Sequence, residues 1–356
     1  MKNIVNLGNV ATYINGYAFK PSDWAEDGTP IIRIQDLTGN SYQMNRFKGI
    51  VDSKYDVNSG DVLISWSASL GVYVWNRGNA VLNQHIFKVV FDKEEVDKDF
   101  FVFQIDNLLK RAANQAHGAT MRHLTKPVFD ALPFYLPDIK TQRLISSKLN
   151  LIVHLIEDHH EQLKKLDELI RSRFLEMFGD IELNSQNMQK MMWQEVFDTQ
   201  TGKLDANAAV KGGRYPFFTC AKEISTIDEY AYDCEALLLA GNNAVGDYDV
   251  KYYKGKFNAY QRTYILMLKN RQYSYSVFKF QLEQKLRYLQ LQSKGTNTRY
   301  LTMGILRSLD FIVPPIVKQQ EFAQFVNATD KSKMAVQKSL DELEILKKSL
   351  MQTYFG

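Results

Sequence analysis

Two long segments of the chain carry hydrophobic positions with helical periodicity. Residues 139–178 contain neither proline nor glycine, and their apolar side chains recur every three or four residues, which places them on one face of an α-helix. That stripe comprises Leu149, Ile152, Ile156, Leu163, Leu166, Ile170 and Met177. Residues 318–354 carry a similar stripe, interrupted by Thr329, Lys333 and Lys347. The pattern predicts two helices of roughly 40 residues, each about 60 Å long.

The regions before these helices have a different pattern. Short apolar runs, separated by glycine, asparagine and aspartate, predict β-strands. The runs lie at residues 30–34, 61–66, 85–90, 236–240 and 263–268. Shorter helices are expected near residues 98–114 and 276–292, which share a Phe-x-Phe-Gln sequence. Each long helix therefore follows a region of mixed strands and helices.

The chain contains an internal repeat with a constant offset of 177 residues. Residues 118–125 return as residues 295–302, and the proline-glutamine spacing at residues 137–142 returns at residues 314–319. Single identities at the same offset include Gly78/Gly255, Gln84/Gln261, Phe101/Phe278, Gln104/Gln281 and Leu109/Leu286. Upstream the offset becomes 186, for example at Gly16/Gly202 and Pro30/Pro216, so the second copy is nine residues shorter before Gly78. Duplication favours a pseudo-symmetric molecule, which suits a target with two similar halves such as double-stranded DNA.

A long helix with an apolar stripe on one face must bury that stripe, and the nearest candidate partner is the long helix of the other copy. We expect the two helices to pack antiparallel as a two-stranded coiled coil, with the mixed domains at its ends. The alternative is that each helix is buried separately in its own globular domain. The predicted boundaries are a mixed domain at 1–137, a helix at 138–179, a linker at 180–189, a second mixed domain at 190–314 and a helix at 315–356.

Composition narrows the class of protein. Hydrophobic residues make up 45% and charged residues 24%, which is ordinary for a globular protein, and no apolar run approaches the roughly 18 residues of a membrane span. The first residues lack a signal-peptide core, and Cys220 and Cys234 form no zinc or disulfide pattern, so a reducing cytoplasm is expected. The net charge of +4 is mild. Residues 185–315, however, hold 17 Lys and Arg against 12 Asp and Glu, which favours a DNA-reading surface there as much as a solubilising one.

Recognisable catalytic motifs are absent from the sequence. The segment at residues 241–246 has the outer glycines of a phosphate loop without the lysine and hydroxyl that would follow, and it is interpreted as a turn. No Gly-x-Gly-x-x-Gly follows a strand. His159 and His160 diverge on a helix by about 100° and are interpreted as a solvated face rather than a metal site. We therefore predict no catalytic residues and no metal in this chain.

Four spaced features then point to a known family. They are a Gly-Asp-Val-Leu-Ile-Ser strand at residues 60–65, Asn83-Gln84, a Gly-x-x-x-x-x-Leu turn at residues 118–124 and a proline-to-glutamine helix entrance at residues 137–142. In this order, followed by a long helix and repeated, they resemble the specificity subunit of type I restriction-modification systems. The second copy departs from the pattern: it has Cys234-Glu235 in place of Gly-Asp and Tyr260-Gln261 in place of Asn-Gln, and both helix entrances lack a Glu before the Gln.

The resemblance implies an α+β fold with two pseudo-two-fold-related mixed α/β target-recognition domains separated by an antiparallel two-helix coiled coil. It implies a non-catalytic DNA reader in which each domain reads one half of a split target. The partners would be double-stranded DNA, two methyltransferase (modification) subunits and, if present, two restriction (motor-nuclease) subunits. No cofactor is expected in this chain, because S-adenosylmethionine, ATP and Mg would belong to the partner subunits.

Candidate DNA-binding residues are basic, amide or aromatic side chains in the two mixed domains, because cations neutralise phosphates and amides or arginines read base edges. In the first domain they are Lys20, Arg33, Gln35, Arg46, Lys48, Trp66, Ser67, Arg77 and Arg122. In the second domain they are Lys203, Lys211, Arg214, Asn242, Asn243, Lys251, Lys254, Lys256 and Arg299. Two readers of different half-sites should differ in their contacts, so the shared Gln84 and Gln261 are expected to be structural or phosphate-binding.

Three other functions remain open at this stage. The duplicated aromatic domains would also suit a scaffold that pairs two proteins without touching DNA. An enzyme with a cryptic site is a second alternative. A methylation-only specificity factor without a nuclease partner is the third, and the sequence does not distinguish it from a restriction complex.

Overall fold

The chain folds into two compact units that divide it inside its long helices. The computed structural model describes residues 3–40, 43–115, 125–295 and 297–356. Unit 1 comprises residues 1–160 and 339–356, and unit 2 comprises residues 161–338. Each unit therefore contains one mixed domain and one part of each long helix.

The first half of the chain contains ten short strands and four helices within its described residues. In chain order they are β1 (Ile4–Asn6), β2 (Thr12–Asn15), β3 (Thr29–Ile32), α1 (Ile34–Leu37), β4 (Arg46–Phe47), β5 (Asp56–Val57), β6 (Val62–Ser65), β7 (Gly71–Val74), β8 (Ala80–Leu82), β9 (Ile86–Val90), α2 (Lys98–Gln115), α3 (Lys126–Asp130), β10 (Pro133–Tyr135) and α4 (Ile139–Phe178). The helix predicted over residues 139–178 coincides with α4.

The second half repeats this succession with longer strands. Its elements are β11 (Gln189–Met192), α5 (Trp193–Val196), β12 (Phe197–Thr201), β13 (Tyr215–Phe218), β14 (Ser225–Ile227), β15 (Tyr232–Ala240), β16 (Asn242–Asn243), β17 (Val250–Ala259), β18 (Thr263–Leu268), α6 (Tyr275–Gln284), α7 (Leu286–Gln292), β19 (Arg299–Tyr300), α8 (Met303–Arg307), β20 (Asp310–Val313) and α9 (Ile316–Phe355). The single helix predicted near residues 276–292 is two helices, which a turn at Lys285 (φ −89°, ψ −4°) separates.

Strand order confirms the internal duplication independently of residue identity. In unit 2 the order is β12-β18-β15-β17-β13-β14, with β13 parallel to β17. In unit 1 one sheet has the order β2-β9-β6-β7 and a second has the order β4-β3-β8-β5, with β3 parallel to β8. If β7 and β8 are the two halves of β17, and β5 and β6 are the two halves of β15, the orders agree. A separate antiparallel pair also recurs, as β1-β10 and β11-β20.

The length difference between the copies is concentrated at one connection. Thirteen residues, 33–45, separate β3 from β4, whereas six residues, 219–224, separate β13 from β14. The extra residues of the first copy form α1 and the segment that follows it. The two copies therefore share their strand framework and differ mainly in what this connection carries.

Two repeated glycines keep their identity because of a close backbone approach. A Cβ atom on Gly16 would lie 2.0 Å from the carbonyl oxygen of Asn83, and one on Gly202 would lie 2.1 Å from the carbonyl oxygen of Ala259. No side chain fits in either place without a backbone shift. This contact fixes the start of the first long loop in both copies.

Two repeated glutamines join each long helix to its mixed domain. Gln142 is buried, and its side chain accepts the Asp97 N–H at 2.9 Å while it donates to the carbonyl of the proline five residues earlier at 2.8 Å. Gln319 accepts the Ser274 N–H at 2.9 Å and donates to the corresponding proline carbonyl at 2.7 Å. Because each amide satisfies backbone groups at the start of two helices, it fixes the direction in which the long helix leaves the domain.

In unit 1 the first part of α4 packs against the last part of α9. Ile145 and Leu149 lie in one hydrophobic cluster with Phe355, and the Nε2 atom of His159 lies 3.0 Å from the Ser339 hydroxyl. Residue numbers therefore rise along one helix as they fall along the other, which is the predicted antiparallel packing. His160 is exposed, as the solvated-face interpretation of His159 and His160 predicted, whereas His159 is half-buried against α9 and does not fit it. His159 fills the seven-residue gap between Ile156 and Leu163.

In unit 2 the last part of α4 packs antiparallel against the first part of α9. Phe174 and Phe178 of α4 contact Phe322 of α9 at ring-centroid distances of 5.3 and 5.6 Å. Further along, the Lys333 ammonium pairs with the Asp167 carboxylate. A lysine at an apolar stripe position is thus tolerated because its stem packs between the helices while its charge meets a carboxylate at the edge.

Candidate nucleic-acid interface

Several candidates of the first domain lie on the surface around β3 and β4. Lys20, Gln35, Arg46 and Lys48 are exposed. Arg46 donates to the Gly28 carbonyl at 2.8 Å, which fixes its direction without neutralising its charge. Lys48 pairs with Asp27 at 2.9 Å, but both side chains are largely exposed, so this cation stays accessible to water and to an external anion.

Arg33 has a more constrained environment than the other candidates. Its side chain is 19% exposed and its Nε atom lies 3.8 Å from the carboxylate of Asp36, which is fully buried. Its guanidinium carbon lies 5.4 Å from the ring centre of Trp24, which is 45% exposed. Trp24 and Asp36 were not among the predicted site residues, because neither stands in a periodic segment that would place it beside Arg33.

Three other candidates of the first domain differ in exposure. Trp66 stacks on Phe87 with a centroid distance of 5.7 Å, and its Nε1 donates to the Asn15 Oδ1 atom at 3.2 Å. Ser67 is buried, and its carbonyl accepts from the Ser65 hydroxyl. Arg77 is exposed beside the ring of Trp75. Of these three, Arg77 is the one placed to meet an external anion.

One candidate falls outside the described residues. Arg122 lies in the segment 116–124, together with most of the repeated turn that the sequence analysis identified at residues 118–125. In the second copy the corresponding turn leads into β19, where Lys294 and Tyr300 exchange two backbone hydrogen bonds of 3.1 and 2.8 Å. Tyr300 and its neighbours Asn297 and Thr298 are exposed there.

Three lysine candidates of the second domain lie on β17 and differ in how exposed their ammonium groups are. Lys251 donates to the Ala221 carbonyl at 2.9 Å and pairs with Asp249, so its side chain is only 14% exposed. Lys254 pairs with Glu235 at 3.1 Å, and the Lys256 ammonium lies 4.6 Å from the ring centre of Tyr230. Lys254 and Lys256 are exposed and are the better phosphate candidates.

Asn242 and Asn243 form a short ribbon rather than an open loop. They make up β16 and pair with Tyr300 and Arg299 of β19. The Asn243 Oδ1 atom accepts the N–H groups of Val245 and Asp247 at 2.9 and 3.2 Å, which forms the predicted turn. Its carboxamide oxygen is therefore occupied, whereas Asn242 lies half-exposed on the ribbon.

Cations flank this ribbon on both sides. The Arg299 Nη1 atom donates to the Gln290 carbonyl at 3.1 Å. Lys222 pairs with Asp247 at 2.6 Å, and this hydrogen bond and charge raise the pKa of Lys222, so it remains an ammonium ion at neutral pH. Elsewhere in this domain Lys203 and Lys211 are exposed, and Arg214 donates to the Asp228 carbonyl at 3.0 Å.

The repeated Gln84 and Gln261 have the same backbone role. The N–H of Gln84 donates to the Tyr17 carbonyl at 2.8 Å, and the N–H of Gln261 donates to the Leu204 carbonyl at 2.8 Å. Both bonds tie the turn before β9 or β18 to the loop that begins at the repeated glycine. Gln84 and Gln261 were expected to be either structural or phosphate-binding, and these hydrogen bonds agree with a structural role.

Unit 2 also contains a groove of about 840 Å³ beside the long helices. Five acidic and four basic side chains line it, including Glu235, Arg171 and Asp330, together with Tyr252. Burial and a hydrogen bond to Glu235 raise the pKa of Tyr252, so this phenol stays neutral and donates. Near-balanced charge does not favour a polyanion here and suits a protein surface that carries both signs.

Among the residues that the structure describes, no group of three or more His, Cys, Asp or Glu side chains is arranged to hold a metal ion. None of the described helices is long and apolar enough to cross a membrane.

Comparison with known proteins identifies the family. The family model described as "Type I restriction modification DNA specificity domain" matches residues 2–168 and 185–344. The EcoDI type I restriction enzyme specificity subunit of Escherichia coli is 38% identical over 132 residues, which is 36% of this chain and 28% of that protein. The EcoBI specificity subunit of the same organism is 25% identical over 170 residues, which is 47% of this chain and 35% of that protein. The aligned segments thus span about a third or less of these relatives.

A solved structure shares the fold of the whole chain. The crystal structure of a type I restriction-modification S subunit from M. genitalium covers 100% of this chain and 96% of its own, with a TM-score of 0.65 and 15% sequence identity. The family model matches each copy of the repeat once, and the two matches together cover most of the chain. The chain therefore belongs to the family of type I restriction modification DNA specificity domains and carries two copies of that domain.

Proposed function

We propose that the chain is the specificity subunit of a type I restriction-modification complex and that it reads a split DNA target. The observation that carries this proposal is the duplication of one strand order in two units, each combined with part of both long helices. Membership of the specificity family supports it. Each domain would read one half-site, and the antiparallel helices would set the gap between the half-sites.

Affinity would come mainly from the exposed lysines and arginines. Neutralising phosphates releases counterions, so binding should weaken steeply as salt rises. Arg46, Lys48 and Arg77 would serve the first half-site, and Lys254 and Lys256 the second. Specificity would come from arginine and amide side chains that reach base edges, each worth roughly 1–3 kcal/mol of discrimination.

The chemistry would belong to partner subunits. We propose two methyltransferase subunits, one for each half of the chain, and two motor-nuclease subunits where the system restricts DNA. S-adenosylmethionine, ATP and Mg would be bound by these subunits, and the assembly would act in the cytoplasm. The groove of unit 2 is our candidate for one docking surface of a methyltransferase subunit, because it carries both charges and adjoins both long helices.

Sequencing the methylated bases of cells that express the chain with its methyltransferase partner tests the proposal. The expected result is a two-part motif with a fixed unspecified gap. Recovery of a continuous motif, or of no motif, would refute it. A protein scaffold that never touches DNA is the second candidate, and it predicts no salt-dependent DNA binding by the complex. A methylation-only factor predicts the same motif without DNA cleavage.

The long helices can be tested as a ruler. Duplicating one heptad in α4 (residues 163–169) and the facing heptad in α9 (residues 330–336) adds seven residues to each helix and preserves both stripes. At 1.5 Å per residue the addition is about 10 Å, or about three base pairs at roughly 3.4 Å each. The gap of the motif should lengthen by about three base pairs with both half-sites unchanged. An unchanged gap would exclude the helices as the ruler.

A further inference from the structure

Arg33 and Asp36 form a buried pair at the connection where the two copies differ most in length. The Asp36 side chain is fully buried, and its Oδ2 atom accepts the Arg33 backbone N–H at 2.8 Å. Its Oδ1 atom has no hydrogen-bond partner among the described residues, and the Arg33 Nε atom, also buried, has none. A buried carboxylate requires a nearby cation, and Arg33, with its Nε 3.8 Å from Oδ2, supplies it.

The end of the Arg33 side chain remains available. Its terminal nitrogens donate no hydrogen bond to the described residues, and neither is among the enclosed unbonded atoms. One edge of the guanidinium faces Asp36, and the Trp24 ring lies 5.4 Å from its central carbon. The carboxylate and the ring together restrict the position of the donor fork, which reduces the entropy lost when the fork binds a ligand.

The charge of the pair indicates which ligand fits. A phosphate contact needs net positive charge, and Asp36 cancels that of Arg33 at close range. What remains is a directional pair of N–H donors. Two acceptors side by side match such a fork, and in the major groove the O6 and N7 atoms of guanine present that arrangement.

The second copy has no equivalent pair. At the offset of 186 that relates the two copies upstream, Thr219 corresponds to Arg33 and Lys222 to Asp36, and Val210 corresponds to Trp24. The pair is therefore not part of the shared framework. It belongs to the segment in which one reader differs from the other.

We propose that Arg33 is a specificity-determining residue that reads a guanine in the half-site of the first domain, with Asp36 and Trp24 as its positioning residues. The inference rests on the proposed function, and it specifies which side chain reads a base, which base it reads and in which half-site. It predicts that the first half-site contains a G·C pair whose recognition depends on the arginine fork.

The experiment uses the full chain together with its methyltransferase subunits in cells, with the methylated motif as the readout. Arg33→Lys keeps the charge and removes the fork. Asp36→Asn keeps the acceptor of the backbone N–H and removes the charge that orients Arg33. Arg143→Lys is the matched control, since Arg143 is exposed on α4 and is not among the candidate DNA-binding residues.

The expected result for Arg33→Lys is a roughly 10- to 100-fold loss of discrimination at one G·C position of one half-site. The other half-site and the gap should stay unchanged. Asp36→Asn should relax the same position to a smaller extent, and Arg143→Lys should leave the motif intact. An unchanged motif with Arg33→Lys, or equal weakening at all positions, would overturn the inference. A wild-type motif that is not split would refute the proposed function instead.

A second measurement does not depend on the folding of any variant. The wild-type complex is assayed for binding to DNA in which 7-deazaguanine replaces the identified guanine, which removes the N7 acceptor. Binding should fall by at least about tenfold at that position and by much less at other guanines of the target. Equal binding to both DNAs would also overturn the inference.

Discussion

Replacing Phe355 with alanine tests whether the last turn of α9 belongs to the core of unit 1. The ring is 7% exposed and lies 5.4 Å, centroid to centroid, from Phe100 of α2. The backbone carbonyl of Phe355 accepts hydrogen bonds from the Asn107 Nδ2 and Arg111 Nη1 atoms, both at 3.2 Å. The substitution leaves these two bonds in place, so it removes the contribution of the ring alone.

The cost follows from the burial of that ring. Removing a buried phenylalanine side chain costs about 3–5 kcal/mol, because the lost transfer free energy is joined by the free energy of the cavity. Phe355 lies at the edge of its cluster, where neighbouring side chains can move into the space, so we expect about 3 kcal/mol. For a unit of this size the melting temperature should fall by about 6–12 °C.

Hydrogen–deuterium exchange and calorimetry together locate the effect. Amides of α2, of β10 and of the first turns of α4 should lose protection, whereas the six-stranded sheet of unit 2 should exchange at its wild-type rate. Gln352→Ala, on the exposed face one turn earlier, is the matched control and should change neither observable. Equal loss of protection in both units, or none in unit 1, would show that the ring does not hold this core together.

Three further changes test the shared framework. Gln319→Ala should destabilise unit 2 by about 2–4 kcal/mol in urea unfolding, because the half-buried Ser274 N–H and the buried Pro314 carbonyl lose their partner. Gln320→Ala, on the exposed face, should have almost no effect. Gly202→Ala would place a Cβ atom 2.1 Å from a backbone oxygen and should lower the melting temperature, whereas Gly304→Ala, with its nearest contact at 3.8 Å, should raise or preserve it. Asp310→Asn should make the stability of unit 2 less dependent on pH in acid. Burial raises the pKa of Asp310, but the hydrogen bond to Lys190 and the charge of Lys285 together lower it by more. The pKa of Asp310 therefore lies below its usual value. The stability from this carboxylate is present above its unfolded pKa of about 3.9 and is lost as pH falls through the folded pKa, so urea midpoints of variant and wild type should converge below that pH.

The sequence predicted the long helices closely because their signals are local. A long apolar stripe without proline or glycine, a proline before each start and a glycine after the first end do not depend on distant residues. The bounds of α4 and of β18 coincide with the predicted ranges. The break at Lys285 was missed, because nothing in the apolar pattern of residues 276–292 marks it.

His159 shows why a polar residue in a stripe is hard to interpret. His159 lies three residues after Ile156 and four before Leu163, which is the spacing of a residue that faces the other helix. Its four nearest neighbours along the chain are charged or polar, however, and they favour a face that contacts water. The decision depends on Ser339, which lies on the partner helix and 180 residues away in the chain. A contact of that kind is fixed by the register between two helices, and the sequence of one helix does not contain it.

The Arg33 environment could not be predicted for a related reason. The arginine itself was among the candidates, but its carboxylate and its aromatic neighbour come from a tight turn and from a separate loop. Irregular segments carry no periodicity, so the positions that face one another cannot be read from spacing. The clearest sequence signal was indirect, since this segment accounts for seven of the nine residues by which the offset between the copies changes.

Comparing the two copies distinguishes residues that hold the fold together from residues that belong to one copy alone. Gly16 and Gly202, Gln142 and Gln319 recur, and in both copies they make backbone contacts that no other side chain can replace. Arg33 has no counterpart, and it lies on a segment that the framework does not need. If the two domains read different half-sites, as we propose, they share what holds the strands and helices together and differ in what touches the bases. Residues identical at equivalent positions are therefore poor candidates for specificity in this chain, and the longer connection after β3 is the segment in which to seek it.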